Sequence, residues 1–76
     1  MSMLTTISRL LPGQEAEVLE LPDLGEESER LAALGIDAGA RVRMVAKGSP
    51  FAVQVGGTRL MLRGTGFDAI PVRVVA

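Results

Sequence analysis

The chain has 76 residues, a formal net charge of −1 and a sequence pI near 5.3, which fits a single domain over residues 1–76. It contains no cysteine and no histidine. This excludes disulfides, thiolate chemistry, the usual transition-metal ligands and the usual general base near neutral pH. The weak negative charge is also a poor match for nucleic acid phosphates. We therefore expect a protein that is not an enzyme and needs no cofactor or bound metal.

Membrane and export signals are not found in the sequence. No run of about 18 apolar residues is present that would cross a bilayer. The first residues, MSMLTT, lack the basic and apolar segments of a signal peptide. We expect cytoplasmic residence without membrane insertion.

The first third of the chain predicts an extended start, one helical turn and a strand. Ile7 and Leu10 have helical spacing and should pack into the core, and Pro12 with Gly13 predicts a turn. From residue 15 to 21, apolar residues alternate at first with glutamates, which is typical of a half-buried strand.

An acidic helix start follows. Glu26, Glu27 and Glu29 lie in the first turns, where carboxylates interact favourably with the positive end of the helix dipole. Asp23 followed by Glu26 weakly fits a capping box. These acids are typical of a solvated helix terminus rather than of a metal site, since no calcium-binding spacing is present.

The helix end carries a clear stop signal. Leu31 and Leu34 are three residues apart and should share one helix face. Gly35 can adopt positive φ and end the helix in a Schellman turn. Ile36 would then pack back against Leu31.

Three short strands are predicted after the helix. In residues 41–47, Val42, Met44 and Ala46 alternate with basic residues and should point inward, which leaves Val45 as an exposed apolar exception. Residues 51–55 and 58–63 flank Gly56-Gly57, a two-residue connection typical of a tight hairpin. The outward positions of the second hairpin strand are Arg59, Met61 and Arg63.

The chain ends with a Gly64–Gly66 loop, a helical turn over residues 67–70 and a strand over residues 71–75. The loop has no phosphate-loop frame, because no lysine follows it. Together the elements predict a mainly β fold with one short helix, in which about five short strands form a small barrel or a sharply bent sheet.

Four segments carry a resemblance to a known family: LLPGQEAEV at 10–18, RLAALGIDAGARV at 30–42, VQVGGTRLMLR at 53–63 and AIPV at 69–72. With them the chain resembles the FeoA family over nearly all of residues 4–75. The family's members are small cytoplasmic proteins with an SH3-like β-barrel, associated with ferrous iron uptake. The matched positions are glycines, turn residues and apolar core residues, and none of them is catalytic.

The resemblance implies an accessory or regulatory protein that contacts the cytoplasmic part of FeoB, the membrane ferrous iron transporter. A contact surface should use apolar residues outside the core alternation and the charges beside them. The candidate partner-binding residues are Leu24, Val45, Arg59, Met61, Arg63 and Phe67. Two of these also have an ordinary structural interpretation: a lone surface methionine at Met61, and packing of Phe67 into the end of the barrel.

Three alternatives stay open. The chain also resembles the SH3-like C-terminal domain of iron-dependent repressors of the DtxR type, detached from its other domains. A nucleic-acid-binding SH3-like module would use a basic patch, for which the residues are Arg41, Arg43, Lys47, Arg59 and Arg63. Self-association would use an exposed edge strand, 41–47 or 71–75.

Overall fold

The computed structural model describes residues 3–63 and 66–75. Gly64 and Thr65, which belong to the predicted glycine-rich loop, lie outside these ranges. Within them the strands are β1 (Met3–Thr6), β2 (Glu15–Val18), β3 (Arg41–Ala46), β4 (Phe51–Val55), β5 (Thr58–Leu62) and β6 (Pro71–Val74). The helix is α1 (Glu26–Ala33), and 3-10 turns cover Ile7–Arg9 and Gly66–Ala69.

The strands form one antiparallel sheet in the order β1-β6-β2-β3-β4-β5. The mainly β fold with one short helix is confirmed, but the sheet has six strands rather than about five. It stays open, with β1 and β5 at its two edges, so the predicted barrel describes it only loosely. The prediction of edge strands at 41–47 and 71–75 is wrong, because β3 and β6 each pair on both sides.

One face of the sheet covers the apolar core, together with α1 and the two 3-10 turns. The predicted burial of Ile7 and Leu10 is confirmed, since both are fully buried. The other fully buried large side chains are Leu31, Ile36, Met44, Ile70, Val18, Val42, Val53 and Val72. Among the described residues, no helix is long and apolar enough to span a bilayer.

The end of α1 is the predicted Schellman turn. The Ile36 N–H donates to the Leu31 carbonyl at 2.9 Å and the Gly35 N–H donates to the Ala32 carbonyl at 3.0 Å. Gly35 has φ +99°, a conformation that costs other residues energy. Leu34 is less buried than Leu31, however. Ile36 is fully buried beside Leu31, and Leu34, at the C-cap, is 44% exposed.

The start of α1 differs from the predicted capping box. The N-cap is Gly25, with φ 70° and no side-chain cap. The Asp23 Oδ1 instead accepts from the Gly25 N–H at 3.0 Å. The Ser28 hydroxyl accepts from the Leu24 N–H at 3.2 Å and donates to the Gly25 carbonyl at 2.8 Å. The capping box fails because the Asp23 carboxylate closes a local turn before the helix begins.

A bulge in β3 changes the predicted alternation. Met44 pairs with Val53 and Ala46 pairs with Ala52, which leaves Val45 as the extra residue. A bulge shifts the residues beyond it relative to the two faces of the sheet. Ala46 is therefore exposed instead of inward, and Val45 is partly buried.

The predicted hairpin is confirmed. Val55 pairs with Thr58 across the Gly56-Gly57 turn. The final 3-10 turn and β6 also lie where the sequence predicts them. The hairpin places β5 at the open edge of the sheet, next to β4.

Candidate functional site

The outward row of β5 is an exposed surface with one apolar and two basic side chains. Arg59 and Arg63 are exposed, and Met61 between them is 62% exposed. The row faces solvent because successive strand residues alternate between faces. Leu62 is buried and Leu60 partly buried on the core side. Arg63 directly follows β5, which ends at Leu62. We call Arg59, Met61 and Arg63 the β5 surface.

The central strands β3 and β6 also carry outward arginines, and two of these, Arg43 and Arg73, are paired. The Arg43 Nη2 lies 2.8 Å from the Glu15 Oε1, between β3 and β2. Arg73 of β6 forms an ion pair with Glu17 of β2.

In the described part of the chain, Arg59 and Arg63 form no ion pair. The β5 surface therefore keeps its positive charge, although the net charge of the chain is −1. This charge is available to a carboxylate from another molecule.

The wider basic patch is weaker than its sequence suggests. Arg43 and Arg59 lie in one cross-strand row, on either side of Gln54. Arg43 is already paired with a carboxylate, however, and the Lys47 Nζ donates to the Ser8 carbonyl at 2.7 Å. Within the described ranges Arg41, Arg59 and Arg63 form no ion pair, so unpaired charge lies on β3 as well as at the β5 edge.

A shallow depression of about 300 Å³ adjoins this row. Its lining residues are Glu15, Arg41, Val42, Arg43, Gln54 and Gly56. Gln54, one of these lining residues, pairs with Arg59 of β5. A depression that is open to solvent suits a side chain of a bound partner better than an enclosed substrate.

Leu24 and Val45, two further predicted partner-binding residues, lie outside β5, one before α1 and the other in β3. Leu24 precedes α1, is partly buried against the core, and has its Cδ1 3.5 Å from the position that a Cβ would take on Gly66. Val45 is at the β3 bulge and is partly buried. Of the predicted residues, Arg59 and Met61 lie on one face of β5, and Arg63 directly follows that strand.

Phe67 is a core residue. It is 2% exposed and packs edge-on against Phe51, with ring centroids 5.4 Å apart and an interplanar angle of 89°. Its prediction as a partner-binding residue is wrong, because a side chain buried in this way offers no surface to a partner. The alternative interpretation, packing into the core, is confirmed.

Sequence reasoning missed two surface features. Leu4 on β1 is 71% exposed and Leu11 is 60% exposed, and neither was predicted as a surface residue.

The cross-strand pairs of β2 with β3 and β6 were also missed. Their signal was present, since glutamates at alternate positions of one strand face arginines at alternate positions of another.

Metal binding finds no support in the geometry. Across residues 3–63 and 66–75, no three Asp or Glu side chains converge in a way that would hold a metal ion.

These features define a small SH3-like β domain whose exposed side chains of interest lie on a sheet edge rather than in a deep cavity. The FeoA domain model matches residues 5–74. The chain belongs to the FeoA family, an accessory family of ferrous iron transport.

Solved structures agree with this assignment. Stenotrophomonas maltophilia FeoA, an SH3 domain protein complexed with zinc, is 39% identical, with a TM-score of 0.76 over 88% of this chain and 87% of that chain. Iron(II) transport protein A from Clostridium thermocellum is 33% identical, with a TM-score of 0.83 over 92% of this chain and 45% of that chain.

A repressor shares the fold. IdeR from T. acidophilum is 22% identical and has a TM-score of 0.85 over 95% of this chain, which spans 34% of the repressor chain. This likeness shows the fold alone. No curated protein matches the chain by sequence.

Proposed function

We propose that the chain is a cytoplasmic accessory protein of ferrous iron uptake that acts by binding the cytoplasmic part of a FeoB-type membrane transporter. The observation that carries the proposal is the FeoA domain match over residues 5–74. The S. maltophilia relative, described as a candidate ferrous iron transport activating factor, supports it at 39% identity.

The β5 surface is the proposed contact. Met61 is a flexible apolar side chain that adapts to a partner's surface, and it is 62% exposed. Arg59 and Arg63 flank it as a charged rim. An apolar centre with a polar rim is the usual arrangement of a protein-binding surface.

The repressor-domain alternative has the support of fold similarity to IdeR. That similarity does not extend to function, because small SH3-like domains serve many roles. The two candidate functions require different partners. The accessory function requires a transporter, and the repressor-domain alternative requires a winged-helix domain that binds DNA.

The proposal is tested by retention of the full chain on the immobilised cytoplasmic domain of a FeoB-type transporter from the same source, with and without guanine nucleotide. The variant is Met61→Asp. The matched control is Leu4→Asp, which changes an exposed apolar residue on the opposite edge strand.

We expect wild type and the Leu4 variant to be retained and the Met61 variant to be lost, with unchanged melting temperatures in all three. Failure of the wild-type chain to be retained in every nucleotide state would overturn the transporter partner. Equal retention of both variants would overturn the β5 surface as the contact.

A further inference from the structure

We propose that β5 binds an extended acidic segment of its partner as a seventh strand of the sheet. The segment would follow the pattern acidic–x–apolar–x–acidic. This inference rests on the proposed function and states how the contact with the transporter's cytoplasmic part is made.

The backbone of β5 is open on one side. It pairs with β4 and, in the described part of the chain, with no other strand. Antiparallel pairs alternate between hydrogen-bonded and non-hydrogen-bonded. With Val55 and Thr58 closing the two-residue turn, the main-chain groups of Thr58 and Leu60 face β4. Those of Arg59 and Met61 face the open edge, where an added strand would bond to them.

The same residues carry the exposed side chains. An antiparallel strand that pairs with Arg59, Met61 and Arg63 places every second residue opposite one of them. Two carboxylates, four positions apart, would face the two arginines, which form no ion pair within the described ranges. An apolar residue between these carboxylates would cover Met61, which is 62% exposed.

The core side of β5 also favours an added strand. Leu60 is only partly buried, although it packs against the core. The two remaining residues of the added strand would lie on this side, opposite Leu60 and Leu62. Apolar or β-branched residues at these positions would remove the exposed part of Leu60 from water.

A second copy of the chain fits this edge poorly. Antiparallel pairing of two β5 strands, with Met61 against Met61, places Arg59 opposite Arg63 of the second copy. Like charges directly opposite one another destabilise a strand pair. The exposed strand of the other edge, β1, has the sequence MLTT and offers no carboxylate.

Nucleic acid is also a weaker occupant. Single-stranded nucleic acid binds through basic grooves and stacking aromatic side chains. The chain has no Tyr or Trp, and both of its Phe residues, Phe51 and Phe67, are buried. An acidic strand would use Arg59, Met61 and Arg63, together with the edge of β5 that pairs with no strand in the described part of the chain.

The first test titrates the full chain with a fluorescent, end-capped peptide that contains Glu-Val-Leu-Thr-Glu. The controls are the same peptide with Lys for both Glu, and a single-stranded oligonucleotide. We expect saturable binding of the acidic peptide only. Tighter binding of the lysine peptide or of the oligonucleotide would overturn the proposal.

The charge requirement is tested with Arg59→Glu/Arg63→Glu. We expect this double variant to bind the acidic peptide roughly tenfold or more weakly and to gain binding of the lysine peptide. A general loss of structure would weaken binding of both peptides and would not change the preference from the acidic peptide to the lysine peptide. Undiminished binding of the acidic peptide would contradict the assigned surface.

Backbone pairing is tested with Met61→Ala and Met61→Pro. Both remove the methionine side chain, but only proline removes the main-chain donor at the open edge. Proline is tolerated on an edge strand where its N–H would have faced solvent, and a melting curve checks that the variant is folded. We expect the alanine variant to retain weak binding and the proline variant to show none. Equal binding by the two would overturn strand addition.

The same variants separate this inference from the proposed function. If the transporter's cytoplasmic domain retains wild type, Arg59→Glu/Arg63→Glu and Met61→Pro equally, the result supports the transporter as the partner and contradicts strand addition as the binding mode. If the transporter domain retains none of them while the acidic peptide binds wild type, strand addition stands as a binding mode and the transporter partner falls.

Discussion

Outward-facing arginines lie both on the central strands of this sheet and at its β5 edge, but they differ in whether they form ion pairs. On the central strands Arg43 is paired with Glu15, and Arg73 is paired with Glu17. At the β5 edge, Arg59 and the following Arg63 have no carboxylate partner within residues 3–63 and 66–75. Arg41 of β3 forms no ion pair in these ranges either, so the centre pairs two of its three outward arginines and the edge pairs neither of its two. The comparison teaches that an arginine is paired where the neighbouring strand offers a carboxylate, which β2 does for Arg43 and Arg73 and β4 does not do for Arg59.

The largest expected difference between the two regions lies in their apolar residues. Leu31 is fully buried, whereas Leu60 on β5 is only partly buried. We expect Leu31→Ala to lower the free energy of unfolding by about 2–5 kcal/mol, and Leu60→Ala to lower it by less. Urea denaturation measures both. A Leu60→Ala loss equal to or larger than that of Leu31→Ala would show that β5 is part of the stability core.

The glycine that ends α1 gives the next largest effect. Gly35 has φ +99°, and an added Cβ would lie 3.3 Å from the Val55 Cγ1. We expect Gly35→Ala to lower the free energy of unfolding by about 1–2 kcal/mol, because a left-handed conformation is costly for any residue with a Cβ. Gly57→Ala, in the hairpin turn, is the control, since a Cβ there meets nothing within 4 Å. Equal melting temperatures for the two variants would contradict the strained geometry.

Reversing the charge of one arginine at the centre and one at the edge compares the two regions directly. The expected loss of stability is smaller than in the two preceding cases. Arg43→Glu sets two carboxylates against each other at Glu15, whereas Arg59→Glu meets Gln54 across the strand pair. We expect Arg43→Glu to cost about 0.5–1 kcal/mol and Arg59→Glu to cost almost nothing. Thermal melts at low salt measure the difference. A larger loss from Arg59→Glu would mean that this arginine already serves the fold.

The smallest expected effect is the salt dependence of that difference. The Arg43–Glu15 pair is exposed enough for salt to screen it, with side chains 54% and 26% exposed. We expect the gap between Arg43→Glu and Arg59→Glu to shrink as salt rises from about 0.01 M to 1 M, because the Debye length falls from roughly 30 Å to 3 Å. If the stability difference between the two variants is unchanged in high salt, that difference comes from packing and not from charge.

The sequence predicted what local signals determine. Gly35 ends α1 because the helix pattern stops there, and Gly56-Gly57 forms the hairpin because short glycine turns match strand twist. Alternation alone predicted that Arg59 and Met61 face outward on β5, and both are exposed.

What failed depends on contacts distant in sequence. The bulge at Val45 is set by the register of β3 against β4. The edges of the sheet are set by β6 lying between β1 and β2. The spacing of residues in the sequence predicts neither the register nor the strand order, and for this reason the edge strands were misassigned.

The most direct test of the β5 surface is amide hydrogen exchange of the full chain, free and bound to the transporter's cytoplasmic domain. We expect binding to slow exchange at the Arg59 and Met61 amides, which face the open edge, and to leave β1 at its free rate. Protection at β1, or a complex in which the β5 amides exchange as in the free chain, would contradict the account of β5 as the edge that receives the partner.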